Sequence, residues 1–221
     1  MDLETSAIGP ASESARRQTL SDFEQLWDWR RRMAELYARV RSSAGLAAWE
    51  LWRAERDRLF ATHPQSPLDP ERRARFAGLT YFDYDPALRL CADLVVAPAA
   101  RRESLNVGRD GTVSLFPFAR THGLEARLGK ELTLYWIEGY GGGVFLPFAD
   151  ATGGTETFAG GRYLLDTIKG ADLGRAGGRI LLDFNFAYNP SCAYSERWTC
   201  PLPPPSNRLS EAVRAGEQRP E

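Results

Sequence analysis

The chain has few of the residues that build the commonest catalytic engines. Its 221 residues include two histidines, His63 and His122, and three cysteines, Cys91, Cys192 and Cys200. None of these falls in the C-x2-C or H-x3-H spacing of a compact zinc site, so a structural metal is not expected. His122 sits in a short polar break between apolar stretches and reads as an exposed turn. His63 precedes Pro64 and reads as a cation closing a helix C-terminus. A Ser-His-Asp or Cys-His arrangement is therefore disfavoured, and any proton transfer falls to a carboxylate or a tyrosine. Charge of one sign is also lacking: 28 Lys and Arg face 29 Asp and Glu, a formal charge of -1. Nothing global attracts nucleic acid or an acidic membrane, and neither is an expected partner. No apolar run is long enough to cross a bilayer, and the first twenty residues lack the apolar core of a secretory signal. A cytoplasmic protein is the expectation.

Hydrophobic residues make up 43% of the chain, enough for one core at a length near the upper range of a single domain. Residues 1–18 carry little apolar content and read as a disordered tail, as do 218–221. Between them lie a helical region over 19–78 and a β-rich region over 79–217. Ser21-Asp22-Phe23-Glu24 has the S-x-x-E form of a helix start. Behind it Phe23, Leu26, Trp27, Met33, Leu36, Tyr37 and Val40 recur at helical spacing. Gly45 reads as a stop, and Leu46, Trp49, Trp52, Leu59 and Phe60 form a second stripe ending before Pro64. The pair predicts a helical hairpin over Ser21–Thr62, its tryptophans serving as packing. Asp69-Pro70 then caps a short third helix reaching about Phe76.

From Leu79 the period changes to that of strands. Leu88 to Val96 alternates, and further strands are predicted at Thr112–Phe118, Leu124–Leu128, Glu131–Glu138, Gly143–Phe148, Arg162–Leu165 and Arg179–Phe186. No helical pattern long enough for a parallel crossover separates them. The predicted fold class is α+β, an N-terminal helical hairpin packed on a curled antiparallel β-sheet or small β-barrel.

The C-terminal block carries the richest chemistry. It reads FADATGGTETFAGGRYLLDTIKG, then LDFNFAYNPSCAYSERWTCPLPPPSNRL, then AVRAGE. With ATHPQSPL and GLTYFDYDP upstream, these phrases closely resemble the domain-of-unknown-function family 1684 (DUF1684), over roughly Phe23 to Glu217. The resemblance implies a soluble, mainly bacterial protein with a shared domain. It implies no reaction and no catalytic residues.

The residues themselves leave several pairs of readings open. Gly139 to Gly143 lacks the context of a phosphate loop and reads as a turn between strands. Asp150, Thr155 and Glu156 lie in a polar loop that either binds a ligand through oxygens or satisfies its own backbone. Arg162 either clamps an anion or locks Asp150 or Glu156 in an ion pair. Asp183 and Asn185 are predicted on one face of a strand. With Tyr188 and Asn189 they either fix a ligand or pin a long coil by hydrogen bonds. Cys192 and Cys200, with seven residues between them, are free, redox-active or metal-binding in a reducing compartment. The proline run at 201–205 either serves as an SH3-type ligand or wraps the body.

Two functions follow. The first is a small-ligand-binding protein or carboxylate-assisted enzyme with its pocket in this block. There Asp183 or Glu156 would act as base, and Asp150, Thr155, Arg162, Asn185, Tyr188, Asn189, Cys192 and Cys200 would contact the ligand. The second is a non-enzymatic interaction module using the Trp-rich hairpin or the Pro-rich tail. No short cofactor motif is present, but barrels bind flavins without one, so the cofactor stays unknown, as does the oligomeric state.

Overall fold

The computed structural model describes residues 19–98, 101–107 and 111–220. The expected N-terminal tail, 1–18, lies outside them. Helix α1 spans Leu20–Arg41 and α2 spans Gly45–Thr62, so the hairpin is present with slightly shifted ends. The cap of α1 is two residues earlier than S-x-x-E suggests. The Thr19 hydroxyl accepts from Asp22 N, and the Asp22 carboxylate accepts from Thr19 N at 2.8 Å. Thr19 and Asp22 have the same spacing and the same chemistry as Ser21 and Glu24, and the earlier pair wins because it adds helical hydrogen bonds. Gly45 is not a stop but the first residue of α2, with φ at +59°. Asp69 caps the short α3, Pro70–Ala74, accepting from Arg72 N at 2.7 Å.

The strands are β1 Arg89–Val96, β2 Glu103–Asn106, β3 Thr112–His122, β4 Thr133–Ile137, β5 Gly143–Phe148, β6 Arg162–Asp166, β7 Arg175–Ala176 and β8 Arg179–Asp183. They form one antiparallel sheet in the order β6-β5-β4-β3-β1-β8-β7, with β2 alongside β3. The sheet is curled into a half-barrel. Register shifts fall at Pro117–Ala119 in β3 and Leu146–Pro147 in β5. Proline cannot donate to a ladder, so each sits at an irregularity that bends its strand. Leu124–Leu128 is not a strand but contains the one-turn helix α4, Glu125–Leu128. Glu131 Oε1 accepts from the N–H groups of Gly123, Leu124 and Glu125, which winds this short run; its length alone does not decide between helix and strand. Gly139–Gly143 is the β4–β5 turn.

The hairpin packs into the hollow of the sheet. Met33, Leu36, Tyr37 and Val40 of α1 and Trp49, Trp52 and Leu59 of α2 share one core with Ala92, Leu134, Leu146, Phe148, Leu164 and Leu182. The Trp52 ring meets Phe186 edge-on at 5.4 Å. Trp27 departs from the expectation of burial: it is 71% exposed, with Phe23 at 55% and Leu20 at 75%. Nothing in the described residues covers this stripe at the start of α1. Among the described residues no helix is long and apolar enough to cross a membrane.

Candidate functional site

The predicted site residues separate into several hydrogen-bonded groups. Arg162, at the start of β6, is 1% exposed. Its Nη2 donates to Asp150 Oδ2 and to Val213 O, both at 2.8 Å, and its Nη1 donates to Glu217 O at 3.1 Å and to Ala215 O. Burial pulls its pKa down, and the adjacent Asp150 carboxylate opposes the fall. Asp150 Oδ1 accepts from Thr152 N at 2.9 Å and from the Thr152 hydroxyl at 2.5 Å, and the Thr155 hydroxyl donates to Thr152 O. The loop is thus a self-satisfied Asx/ST turn bolted to the C-terminal segment by Arg162. Glu156 stands apart, on the surface, paired with Arg214 at 2.8 Å.

Asp183 and Asn185 do not share a strand face. The strand ends at Asp183, and Phe184–Phe186 is a 3-10 turn. Asp183 Oδ1 caps that turn, accepting from Asn185 N at 3.1 Å and Asn185 Nδ2 at 2.8 Å. Asn185 in turn ties down Asp85, donating to its carbonyl and accepting from its N–H. Burial pushes the Asp183 carboxyl up, though it borders a recess of about 160 Å3 beside Arg89.

Tyr188 exchanges backbone hydrogen bonds with Tyr163 on the free edge of β6. Asn189 N donates to Glu217 Oε2 at 2.7 Å, and Asn189 Nδ2 donates to Gln218 O at 2.7 Å. Glu217 is fully buried. Its Oε2 also accepts from the Tyr194 hydroxyl at 2.8 Å, while Oε1 takes Arg56 Nε at 2.9 Å and the adjacent Arg56 Nη2. Burial opposes the charge on Arg56, yet Glu217 beside it carries the net pKa upward. Sequence reasoning missed both partners, since Arg56 reads as one more charge on an Arg-rich helix and Glu217 as the edge of a tail. That tail is held too: Gln218 N donates to Thr80 O at 2.9 Å and Arg219 N to Glu156 O at 3.0 Å. The Pro-rich run wraps the body, with Pro203 and Pro204 buried. Asn207 behind it donates to Thr133 O and Pro147 O and accepts from Thr133 N, each at 2.8 Å. Cys192 and Cys200 meet: Cys192 N donates to Cys200 Sγ at 3.4 Å.

A cleft of about 680 Å3 opens elsewhere, between α2, the loop 75–80 and the C-terminal segment. It is lined by Arg53, Arg72, Arg75, Asp57, Phe76 and Tyr194 among others. The Arg53 guanidinium lies 4.4 Å from the Trp49 ring centroid and 4.8 Å from that of Tyr81, and its Nε is buried with no hydrogen-bond partner. Arg72 Nη1 donates to Tyr194 O at 2.5 Å, and Arg75 pairs at the rim with Glu71. Asp57 Oδ1 accepts from Leu79 N at 3.0 Å, and burial pushes its carboxyl up. Nothing in the sequence signals this site, because its charges come from two segments with no shared motif and its wall from a third. Among the described residues no group of three or more His, Cys, Asp or Glu side chains is placed to hold a metal ion.

No curated protein matches the chain. A solution NMR structure of the uncharacterized protein from gene locus rrnAC0354 of Haloarcula marismortui is 40% identical, with a TM-score of 0.52 over 75% of this chain and 89% of that one. The family described as "Protein of unknown function (DUF1684)" matches residues 74–218, the sheet and its C-terminal wrapping, but not the hairpin. The chain belongs to the DUF1684 family.

Proposed function

We propose that the chain binds a small anionic ligand in the cleft formed by α2, the loop 75–80 and the C-terminal segment. The carrying observation is Arg53: a guanidinium held against two aromatic rings, with a buried, unpartnered Nε, at a cleft it shares with Arg72 and Arg75. The two rings hold the guanidinium in place, so an anion pairing with it in the cleft does not have to order a free side chain. Arg53 and Arg72 face one lining carboxylate, Asp57, with Arg75 held at the rim by Glu71, and Phe76, Leu79 and Tyr194 add an apolar wall for the ligand's body. The polar block contributes the frame rather than the pocket. Glu156 and Asp183 have no partner in common, and the polar atoms of Arg162, Asp150 and Asn185 are largely taken by backbone and by one another.

Calorimetric titration with inorganic pyrophosphate and with citrate tests this reading. One of the two anions is expected to bind saturably and to stabilise the protein, by about 2.7 kcal/mol at a hundredfold excess over Kd. Arg53→Gln with Arg72→Gln is expected to weaken that binding at least tenfold, since a hydrogen bond to a charged group contributes about 1.5–3 kcal/mol. Absence of binding for both anions, or equal binding by the double variant, overturns it. A second reading, an interaction module on α1, is favoured by the exposed stripe of Leu20, Phe23 and Trp27. Partner capture that survives Arg53→Gln and Arg72→Gln but is lost in Trp27→Glu would favour it.

A further inference from the structure

Cys192 and Cys200 belong to none of the groups that hold the C-terminal segment in place, and the chemistry around them is specific. Cys192 is the middle residue of the turn Ser191–Ala193 that follows Asn189-Pro190, and Cys200 lies beside Pro201, whose carbonyl accepts from the Tyr163 hydroxyl at 2.6 Å. Both are partly accessible, free thiols. Cys200 Sγ accepts from Cys192 N at 3.4 Å, which places the two cysteines side by side. That contact, the nearby backbone N–H groups and the Lys169 ammonium stabilise a negative Cys200 sulfur and pull its pKa down, while the Cys192 thiol is pushed up. Of the two, Cys200 is thus the more readily ionised. With the Cys192 backbone N 3.4 Å from Cys200 Sγ, the two sulfurs belong to residues that adjoin in space and need to close to about 2.05 Å to bond.

We propose that Cys192 and Cys200 form a peroxide-sensitive dithiol site, in which Cys200 is the attacking thiolate and Cys192 the resolving thiol. The oxidant is a hydroperoxide. The Cys200 thiolate attacks its terminal oxygen, the O–O bond breaks, and the alkoxide or hydroxide that leaves takes up a proton, giving Cys200 sulfenic acid and an alcohol or water. The Cys192 sulfur then attacks the Cys200 sulfur; the S–O bond breaks, its oxygen leaves as water with the Cys192 proton, and the disulfide forms. Two thiols lose two electrons and one peroxide gains them. The closed loop contains Tyr194, which lines the arginine cleft and donates to Glu217, so the redox state acts on a segment that borders that cleft. The proposal does not depend on the cleft binding an anion.

The full-length protein treated with one equivalent of hydrogen peroxide at pH 7 is expected to fall from three titratable thiols to one and to yield a Cys192–Cys200 linked peptide. Dithiothreitol should restore all three. Cys192→Ala should instead accumulate a dimedone-reactive sulfenic acid at Cys200, and its Cys200 alkylation midpoint should move to higher pH. Retention of three thiols in the wild type, linkage through Cys91, or an unchanged Cys200 midpoint in Cys192→Ala would overturn the proposal.

Discussion

Replacing Arg162 by Met keeps most of the side chain's length and removes its charge and all its hydrogen bonds. Four oxygens lose a donor: Asp150 Oδ2 and the carbonyls of Val213, Ala215 and Glu217. Breaking a buried ion pair from one side costs about 3–5 kcal/mol, because the remaining carboxylate stays buried without its counter-ion. The three carbonyls add to this wherever water does not reach them, so about 4–5 kcal/mol is expected, against the 5–15 kcal/mol that holds a typical protein folded. At this chain length each kcal/mol moves the melting temperature by about 2–4 °C, so a drop of about 8–20 °C should appear by circular dichroism or calorimetry. The partner variant provides a second measure. Asp150→Asn on the Met background removes the stranded charge and should recover at least about 1 kcal/mol, a coupling that independent sites do not show. Should Arg162→Met melt within about 2 °C of the wild type, with anion binding lost, Arg162 is a ligand-contacting residue and the architectural argument fails.

Two further perturbations address the cleft and the seam. For Asp57, burial raises the folded-state pKa above the unfolded value of about 3.9, so the native protein binds more protons in that window and loses stability as pH rises through it. Asp57→Asn keeps an acceptor for Leu79 N and should match or exceed wild-type stability at pH 7, with the advantage gone below about pH 4; melts across pH 4 to 8 that show the reverse order contradict this. Gly216 has φ at +76°, and a Cβ there would lie 2.8 Å from both Ala187 Cβ and Phe184 O, so Gly216→Ala should cost more than about 3 kcal/mol in urea unfolding. Gly123, with φ at +102° and open space around it, is the internal control: Gly123→Ala carries the backbone strain alone, about 1 kcal/mol.

The hairpin and most of the strands were legible because their apolar periods are long and local. Trp49 and Trp52 are buried as the pattern requires, whereas Trp27 has the same period and stands in solvent. Periodicity identifies a face and says nothing of whether another element reaches it. β2 and β7, with four and two residues, are too short to show alternation. The cleft was illegible for a different reason. Arg53, Asp57 and Arg72 look like ordinary helix-surface charges, and only the return of the C-terminal segment turns their surroundings into a concavity. The Arg56–Glu217 pair spans 161 residues, and no local pattern carries that distance.

The same physics explains why the C-terminal block looked like an active site. A chain that leaves a sheet as coil still carries one donor and one acceptor per residue, and where it runs buried each needs a partner. Segment 207–219 runs in that way across the free ends of β4, β5 and β6, and side chains supply what a neighbouring strand would otherwise provide. Asn207 completes β4 and β5, Arg162 collects the carbonyls of residues 213, 215 and 217, and Glu217 gathers Arg56, Tyr194 and Asn189 N. Gly161 and Gly216 let the backbones approach, since a Cβ at Gly161 would strike Phe148 O and Pro203 Cγ at 2.6 Å. Carboxylate, guanidinium, amide and phenol are therefore crowded there by the requirements of a seam. Such groups point to a ligand only where one of them is left without a partner beside open space. In this fold the Arg53 guanidinium, stacked on Trp49 and Tyr81 and without a hydrogen-bond partner among the described residues, lines such a cleft.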